Sequence, residues 1–263
     1  DQIEWSQELR IESLEGSDLD WVLGALYSDN KVEGDANRWY IFEYPDPAPS
    51  GVFNSSDENT KYSLTSENIA LFTSISKDLT DQNSLNAGLR FDHFKKTLIK
   101  SKRVQMPAVP LLGIPEVDDT SKIYSANSFS SISPTIQCNH DFSNEITGLA
   151  RITYAEKPGG VSAYTNDADQ VSFLEEETMS YELSLLFNPS RSWGLNLTAF
   201  LNDIKDYQFE LPVKRTTDYY VANADEVTAQ GIEVEGFIKP SENFTFSLAY
   251  GLCDSEYKKF DGS

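Results

Sequence analysis

The stretch AQGIEVEGFIKPSENFTFSLAYG, residues 229–251, decides the fold. Its first run carries Ile232, Val234 and Ile238, with Glu233 and Glu235 between two of them. After a turn-like Lys-Pro-Ser-Glu-Asn, the second carries Phe244, Phe246, Leu248 and Tyr250, with Thr245, Ser247 and Ala249 between. Period two over this length specifies two β-strands joined by a short hairpin. The apolar face then needs a partner, which is either a second sheet or lipid.

Composition narrows the choice. The chain has 263 residues, 39% of them hydrophobic, and a mean hydropathy of -0.43. No stretch approaches the roughly 20 consecutive apolar residues of a membrane-spanning helix. A membrane-spanning strand is different, because it exposes only alternate residues to lipid and keeps a low average. Net charge is -21, from 42 acidic and 21 basic residues. Such a chain repels nucleic acid and anionic lipid surfaces, so neither is expected as a partner. The opening DQIEWSQELR (1–10) lacks the basic segment and apolar core of a signal peptide. It opens within a strand, so either a signal has been removed along with much more or the stretch is internal to a longer protein.

The same alternation recurs along the chain. In EWSQELRIES, Trp5, Leu9 and Ile11 share one face, and Glu8, Arg10 and Glu12 the other. In SLNAGLRFDHF, Leu85, Ala87, Leu89 and Phe91 oppose Asn86, Arg90 and Asp92. SISPTIQCNHDF and EITGLARITYAE form a hairpin about Ser143-Asn144, and MSYELSLLF pairs with WGLNLTAFLNDIKDYQFEL. The reading is all-β: an antiparallel up-and-down meander of about ten strands, with no helix. Pro134 interrupts one of them, which requires a bulge or a strand that starts later. Cys138 and Cys253 fall on opposite faces, five strands and roughly 24 Å apart at about 4.8 Å per strand. No disulfide spans that distance.

Connection lengths decide between sheet and lipid. The intervals 14–20, 30–65, 80–84, 99–124, 143–145, 158–178, 188–192, 211–227 and 239–243 alternate short and long. In a meander, alternate connections lie at one end, so one end has tight turns and the other elaborated loops. Outer-membrane barrels have this asymmetry, whereas Greek-key crossings scatter lengths across both ends. Aromatics near strand ends (Trp5, Trp21, Tyr27, Tyr154, Tyr181, Trp193, Tyr207, Tyr257) suit interfacial girdles.

These segments, together with YAEKPGGVSAY and NADEVTAQGIEVEG, resemble in order the barrel of TonB-dependent outer-membrane receptors. The resemblance covers almost the whole chain. It implies transmembrane strands belonging to a larger barrel of about 22, with residues 1–263 a partial barrel domain lacking the N-terminal plug and the C-terminal strands. It also implies an outer-membrane location in a Gram-negative bacterium. The implied function is binding and TonB-driven import of a bulky nutrient, a ferric siderophore being the commonest class and cobalamin or oligosaccharide the alternatives. Expected partners are the TonB-ExbB-ExbD complex acting through the plug, a siderophore-type ligand and outer-membrane lipid. A passive porin, a structural outer-membrane barrel and a secreted β-sheet adhesin are the rival readings.

No catalytic constellation is present, so an enzyme is not expected, and no cofactor is implied. His93 and His140 lie at opposite strand ends and share no metal. The acids of GSDLD and NDADQ lack EF-hand spacing, and Pro158-Gly159-Gly160 opens no strand-to-helix phosphate cradle. Inward charges read first as solvated or cross-strand-paired wall residues. Arg90, Asp92, Arg151 and Glu156 near the loop end are candidates to shape a ligand vestibule, with Lys157 beside them. Aromatics of RWYIFEY (38–44) and TTDYY (216–220), placed in long loops, supply Trp39, Tyr40, Tyr44, Tyr219 and Tyr220. Tyr164 joins them from the 158–178 loop. Rigid aromatics with nearby polar groups suit a bulky ligand, and loop-on-loop packing is the alternative.

Overall fold

The computed structural model of the chain describes all residues except 15, 46–47, 166, 214–217 and 260–263. Ten strands form one antiparallel sheet. They are β1 (Gln2–Glu12), β2 (Asp20–Glu43), β3 (Phe53–Thr80), β4 (Asn83–Met106), β5 (Val117–Ser143), β6 (Ile146–Lys157), β9 (Glu176–Ser190), β10 (Trp193–Pro212), β11 (Tyr219–Ser241) and β12 (Phe244–Lys259). Two short strands, β7 (Gly160–Val161) and β8 (Ser172–Phe173), pair with each other in the connection before β9. The ten pair strictly in chain order, so the meander holds. Among the described residues helix is confined to two single 3-10 turns, Pro110–Leu112 and Ala168–Gln170, and no helix is long and apolar enough to cross a membrane.

Cross-strand partners share a face, so the register fixes which side chains stand together. Ala25 pairs with Leu71, Leu71 with Phe91, and Phe91 with Ile132. Ala150 pairs with Leu183, Leu183 with Ala199, Ala199 with Ile232, and Ile232 with Leu252. These residues form one apolar band across the outer face. Among the described residues nothing covers it: Leu183, Ile232 and Leu248 are 65%, 53% and 67% exposed. A sandwich would bury this face within its own core, so among the described residues the sandwich reading fails. Aromatics edge the band on the same face, with Trp5 against Tyr27 at 5.5 Å and Phe187 against Trp193 at 5.0 Å.

The two ends differ as the spacing implies. The turn end closes in tight hairpins at Asp81-Gln82, Asn144-Glu145, Arg191-Ser192 and Glu242-Asn243. The loop end corrects one expectation. Residues 30–65 and 99–124 are not long loops, because most of each continues the ladder. β2 and β3 pair without a break from Asp20↔Ser76 to Glu43↔Phe53, and β4 and β5 from Asn83↔His140 to Met106↔Val117. The 28 residues of β3 span roughly 90 Å at about 3.3 Å each, against an apolar band about 25 Å tall. Above Ile69 its outward side chains are Glu67, Thr65, Ser63, Lys61 and Asn59. The outer face is polar there, so its apolar alternation disappears while the hydrogen-bonded ladder goes on.

Pro134 pairs with Leu89 on β4, and the β5–β6 ladder begins one residue later at Thr135↔Thr153. The proline therefore sits at the end of that ladder, where an absent N–H is tolerated. Both cysteines are free and exposed. Beyond Pro134, β5 parts from β6, and residues 158–165 and 167–175 fold inward onto the inner face. The buried cluster lies there: Leu98, Val161, Ala163 and Val171, flanked by Tyr62, Leu64 and Ile123.

Candidate functional site

The inner face at the loop end is built from β2 to β5, β10 and β11 and an inserted connection. Even-numbered residues of β4 above the band point inward, and in FKKTLIKSKR (94–103) these include Lys96, Leu98, Lys100 and Lys102. Leu98 packs into the apolar cluster, and the lysines on either side reach the 158–175 connection. Lys96 Nζ donates to the Gly159 carbonyl at 2.7 Å, and Lys100 Nζ to the Thr165 carbonyl at 2.6 Å. Asn127 Nδ2 donates to Ser172 Oγ at 2.7 Å. On the far side, Gln208 Nε2 and Asn223 Nδ2 donate to the Leu174 carbonyl at 2.9 and 3.1 Å. The connection thus bridges β4 and β5 to β10 and β11 across the concave face. A Cβ on Gly159 would collide with the Phe129 ring and the Phe173 carbonyl oxygen. Gly159→Val is therefore expected to unseat the connection, seen as new protease cleavage within 158–175. Cleavage unchanged from the parent would contradict this packing.

A second layer is aromatic and ionic. Tyr164 stacks on Tyr219 with centroids 4.5 Å apart, and Tyr62 meets Tyr164 edge-on at 6.4 Å. Lys102 lies between Glu58 (2.9 Å) and Asp218 (3.0 Å), and Arg38 reaches Asp218 at 3.8 Å. Tyr40 donates to Glu58 at 3.1 Å. Burial raises the phenols of Tyr40, Tyr62 and Tyr219 above their ordinary range, so they stay neutral donors. Burial also lowers the Lys96 ammonium, helped by repulsion from Lys157.

Lys100 is pushed down to about 8, chiefly by burial. The unfolded chain holds that proton up to the ordinary lysine value of 10.5. The native state therefore releases it first, and stability is expected to rise with pH between about 8 and 10.5. Urea unfolding in detergent at about pH 7 and about pH 10 measures the rise. Lys100→Met should flatten it; an unchanged slope in that variant would place its origin elsewhere.

The structure separates the residues singled out from sequence. Tyr40, Tyr164 and Tyr219 converge on this layer. Tyr44 lies on the same face further out, accepting from Asn54 Nδ2 at 3.2 Å. Trp39 belongs to β2, not a loop; paired with Asp57, it stands on the outer face, 66% exposed. Glu156 is also on the outer face, opposite Glu177 and accepting from Tyr154 at 2.7 Å. Tyr220 follows Tyr219 on β11 and takes the opposite face by alternation. Thr216 and Thr217 of the TTDYY stretch lie outside the described residues, as does Asn166 of NDADQ.

Arg90 forks onto Asp92 at 2.6 and 2.7 Å, and Asn68 adds a bond at 3.0 Å. Arg151 pairs with Glu182 at 2.6 Å, and Lys157 with Glu176 at 3.7 Å. Arg90 and Arg151 sit level with the apolar band, as paired wall residues below the aromatic layer. Sequence reasoning missed Arg38, Glu58, Lys96, Lys100, Lys102 and Asp218. The signal for the lysines was the basic run at 94–103 read at period two in an otherwise acidic chain. Among the described residues no three His, Cys, Asp or Glu side chains gather as a metal site.

A one-layer antiparallel meander with an uncovered outer band, an elaborated end and a polar concave face is the wall of a β-barrel of the transport type. The chain belongs to the family described as TonB dependent receptor-like, beta-barrel, whose sequence profile matches residues 3–262. That is a family of transport receptors, not enzymes. A search of curated proteins finds no match. Among solved structures, the ferric yersiniabactin uptake receptor FyuA of Yersinia pestis is similar in fold, with a TM-score of 0.69 at 18% identity. The match covers 98% of this chain and 36% of that one. The ferric-catecholate import receptor Fiu of E. coli K12 matches at TM-score 0.55 and 9% identity, over 98% and 44% of the two chains. BauA, the ferric preacinetobactin receptor of Acinetobacter baumannii, matches at 0.52 and 12%, over 98% and 46%. The chain thus spans between about a third and a half of the length of these structures.

Proposed function

We infer that residues 1–263 form part of the barrel of an outer-membrane receptor that binds a bulky nutrient at its outer mouth and imports it. The observation that carries this reading is the aromatic and basic layer at the elaborated end of a family barrel wall. Tyr40, Tyr164 and Tyr219 supply flat neutral surfaces, and Arg38, Lys100 and Lys102 supply positive charge beside them. A metal chelate with acidic arms, such as a ferric siderophore, needs both. The three named neighbours are each a receptor for uptake or import of a ferric ligand, which supports that class as the first to try.

In this reading the ten strands belong to a larger barrel, the apolar band meets outer-membrane lipid, and the tight turns face the periplasm. A plug and the TonB-ExbB-ExbD complex supply gating and energy. Binding followed by gated passage needs no covalent step.

The experiment is uptake by the native gene product. An antibody against residues 229–251 is expected to detect, in an outer-membrane fraction, a species well above 29.5 kDa. Deletion of the gene should abolish uptake of at least one labelled ferric siderophore under iron limitation. Tyr164→Ala with Tyr219→Ala should reduce that uptake about tenfold. Uptake indifferent to the deletion across hydroxamate, catecholate and carboxylate chelates would overturn the reading.

A further inference from the structure

On one side β5 outruns its neighbour. Its ladder with β4 is unbroken from Asn83↔His140 to Met106↔Val117, but β6 pairs with it only between Ser143 and Thr135. Above Pro134 one edge of β5 therefore has no strand beside it. The ladder fixes which residues present that edge, because successive residues of an antiparallel strand direct N–H and C=O to alternate sides. Asp141 N donates to the Gln82 carbonyl at 2.8 Å in the same register, so odd-numbered residues face β4. Even-numbered residues face the open side. Pro134, which has no N–H to give a ladder, falls among them.

From Asp118 to Ser130 the even-numbered residues carry a row of main-chain donors and acceptors about 40 Å long, at about 3.3 Å per residue. Among the described residues none of these groups has a partner. The row stands above the apolar band, which ends on β5 with Ile132, the partner of Phe91. Edges that meet water are ordinarily blunted by proline, lysine, a bulge or a covering segment. The far wall of the gap is managed in this manner: above the β9 ladder, the Gln208 N–H of β10 donates to the Glu176 carboxylate at 2.8 Å. Between Asp118 and Ser130, β5 has no proline, one lysine and no register shift against β4. Ala126, Ser128 and Ser130 are small, so the main chain is open to approach. The connection after β6 turns to the inner face and meets β5 there by side chains, with Asn127 Nδ2 donating to Ser172 Oγ.

We propose that the upper edge of β5, residues 118–130, is a docking edge on which an extended segment of a second protein adds to the sheet as a strand. The repeat decides the chemistry of the partner. Donors and acceptors at every second residue, about 6.6 Å apart, are matched by an extended main chain. A second copy in the same membrane does not align with it. Two upright barrels are related by an axis along the membrane normal, and strands tilted about 35–45° then cross at about 70–90°. The partner is a different protein that reaches the receptor from outside the cell. Lys122 meets no carboxylate among the described residues, so an acidic residue beside it in the added strand completes a cross-strand pair. The inference is independent of what the vestibule binds.

The test uses the full-length receptor in detergent and reads amide hydrogen exchange residue by residue. In the receptor alone, even-numbered amides from Thr120 to Ser130 are expected to exchange about a hundredfold faster than the odd-numbered amides between them. The probe is an acetylated nine-residue peptide of alternating threonine and valine with one central glutamate. Its control is the same peptide fully N-methylated, which has no N–H to donate. The probe should slow the even-numbered amides about tenfold, and the control should leave them unchanged. Ala126→Pro gives position 126 the geometry that Pro134 already has. It should preserve barrel migration in unheated gels and abolish the effect of the probe; Ser128→Pro serves if that variant does not fold. Even-numbered amides already slow in the receptor alone would mean that another of its segments pairs there, and would overturn the proposal. So would amides that stay fast with the probe bound in excess, equal slowing by the N-methylated control, or slowing that survives the proline variant.

Discussion

Ile232→Lys is expected to destabilise the barrel by about 2–4 kcal/mol in lipid. The position is near the middle of the outer band, between Ala199 on β10 and Leu252 on β12. A lysine there must hold its ammonium in hydrocarbon or bend it toward an interface. The adjacent Glu233, opposite Thr198, points to the concave side, and Glu233→Lys should change stability by less than about 1 kcal/mol. Urea unfolding in liposomes reads both. The contrast matters more than either value, because one residue separates the two sites. Similar costs at 232 and 233 would mean that the outer face does not meet lipid.

Lys102→Met is expected to cost about 3–5 kcal/mol, the usual penalty for stranding a buried charge. Lys102 is 4% exposed, with Glu58 at 2.9 Å and Asp218 at 3.0 Å. Without the ammonium, the Glu58 and Asp218 carboxylates lose the cation that lies between them. Lys102→Met with Glu58→Gln and Asp218→Asn should recover most of the loss, because a neutral set strands no charge. The same unfolding assay tests this. Failure of the triple variant to recover stability would mean that Lys102 acts through packing, not through its charge.

Legibility from sequence followed the apolar face. Within the band, Leu, Ile, Val and Phe alternate with polar residues, and strand number, order and tight turns could all be read. Above the band that signal stops. In β3, Glu67, Thr65, Ser63 and Lys61 on one face oppose Ser66, Leu64 and Tyr62 on the other, so extension and loop look alike in hydropathy. Hydrogen-bond pairing to β2 and β4 keeps the segment extended, and pairing leaves little trace in composition. The parity of the band nevertheless carries upward without a bulge in β4, from Arg90 and Asp92 to Lys96, Lys100 and Lys102. Following it would have placed the lysines inward, and Trp39 and Glu156 outward. The inward seating of 158–175 was not legible, since it depends on backbone carbonyls of Gly159 and Thr165 meeting side chains some 60 residues away.

The central claim is that the band faces lipid and the opposite face lines a lumen. Nitroxide labels placed one at a time along 195–203 and 228–238, in the full-length protein with Cys138 and Cys253 replaced by serine, test it most directly. Accessibility to oxygen and to a nickel chelate should alternate with period two. Oxygen should dominate at Leu197, Ala199, Ile232 and Val234, and the chelate at Thr198 and Glu233. The alternation should fade above Asp203 and Thr228, where the ladder leaves the band. Outer-face labels shielded from both reagents would mean that protein covers the band, and the barrel account would fall.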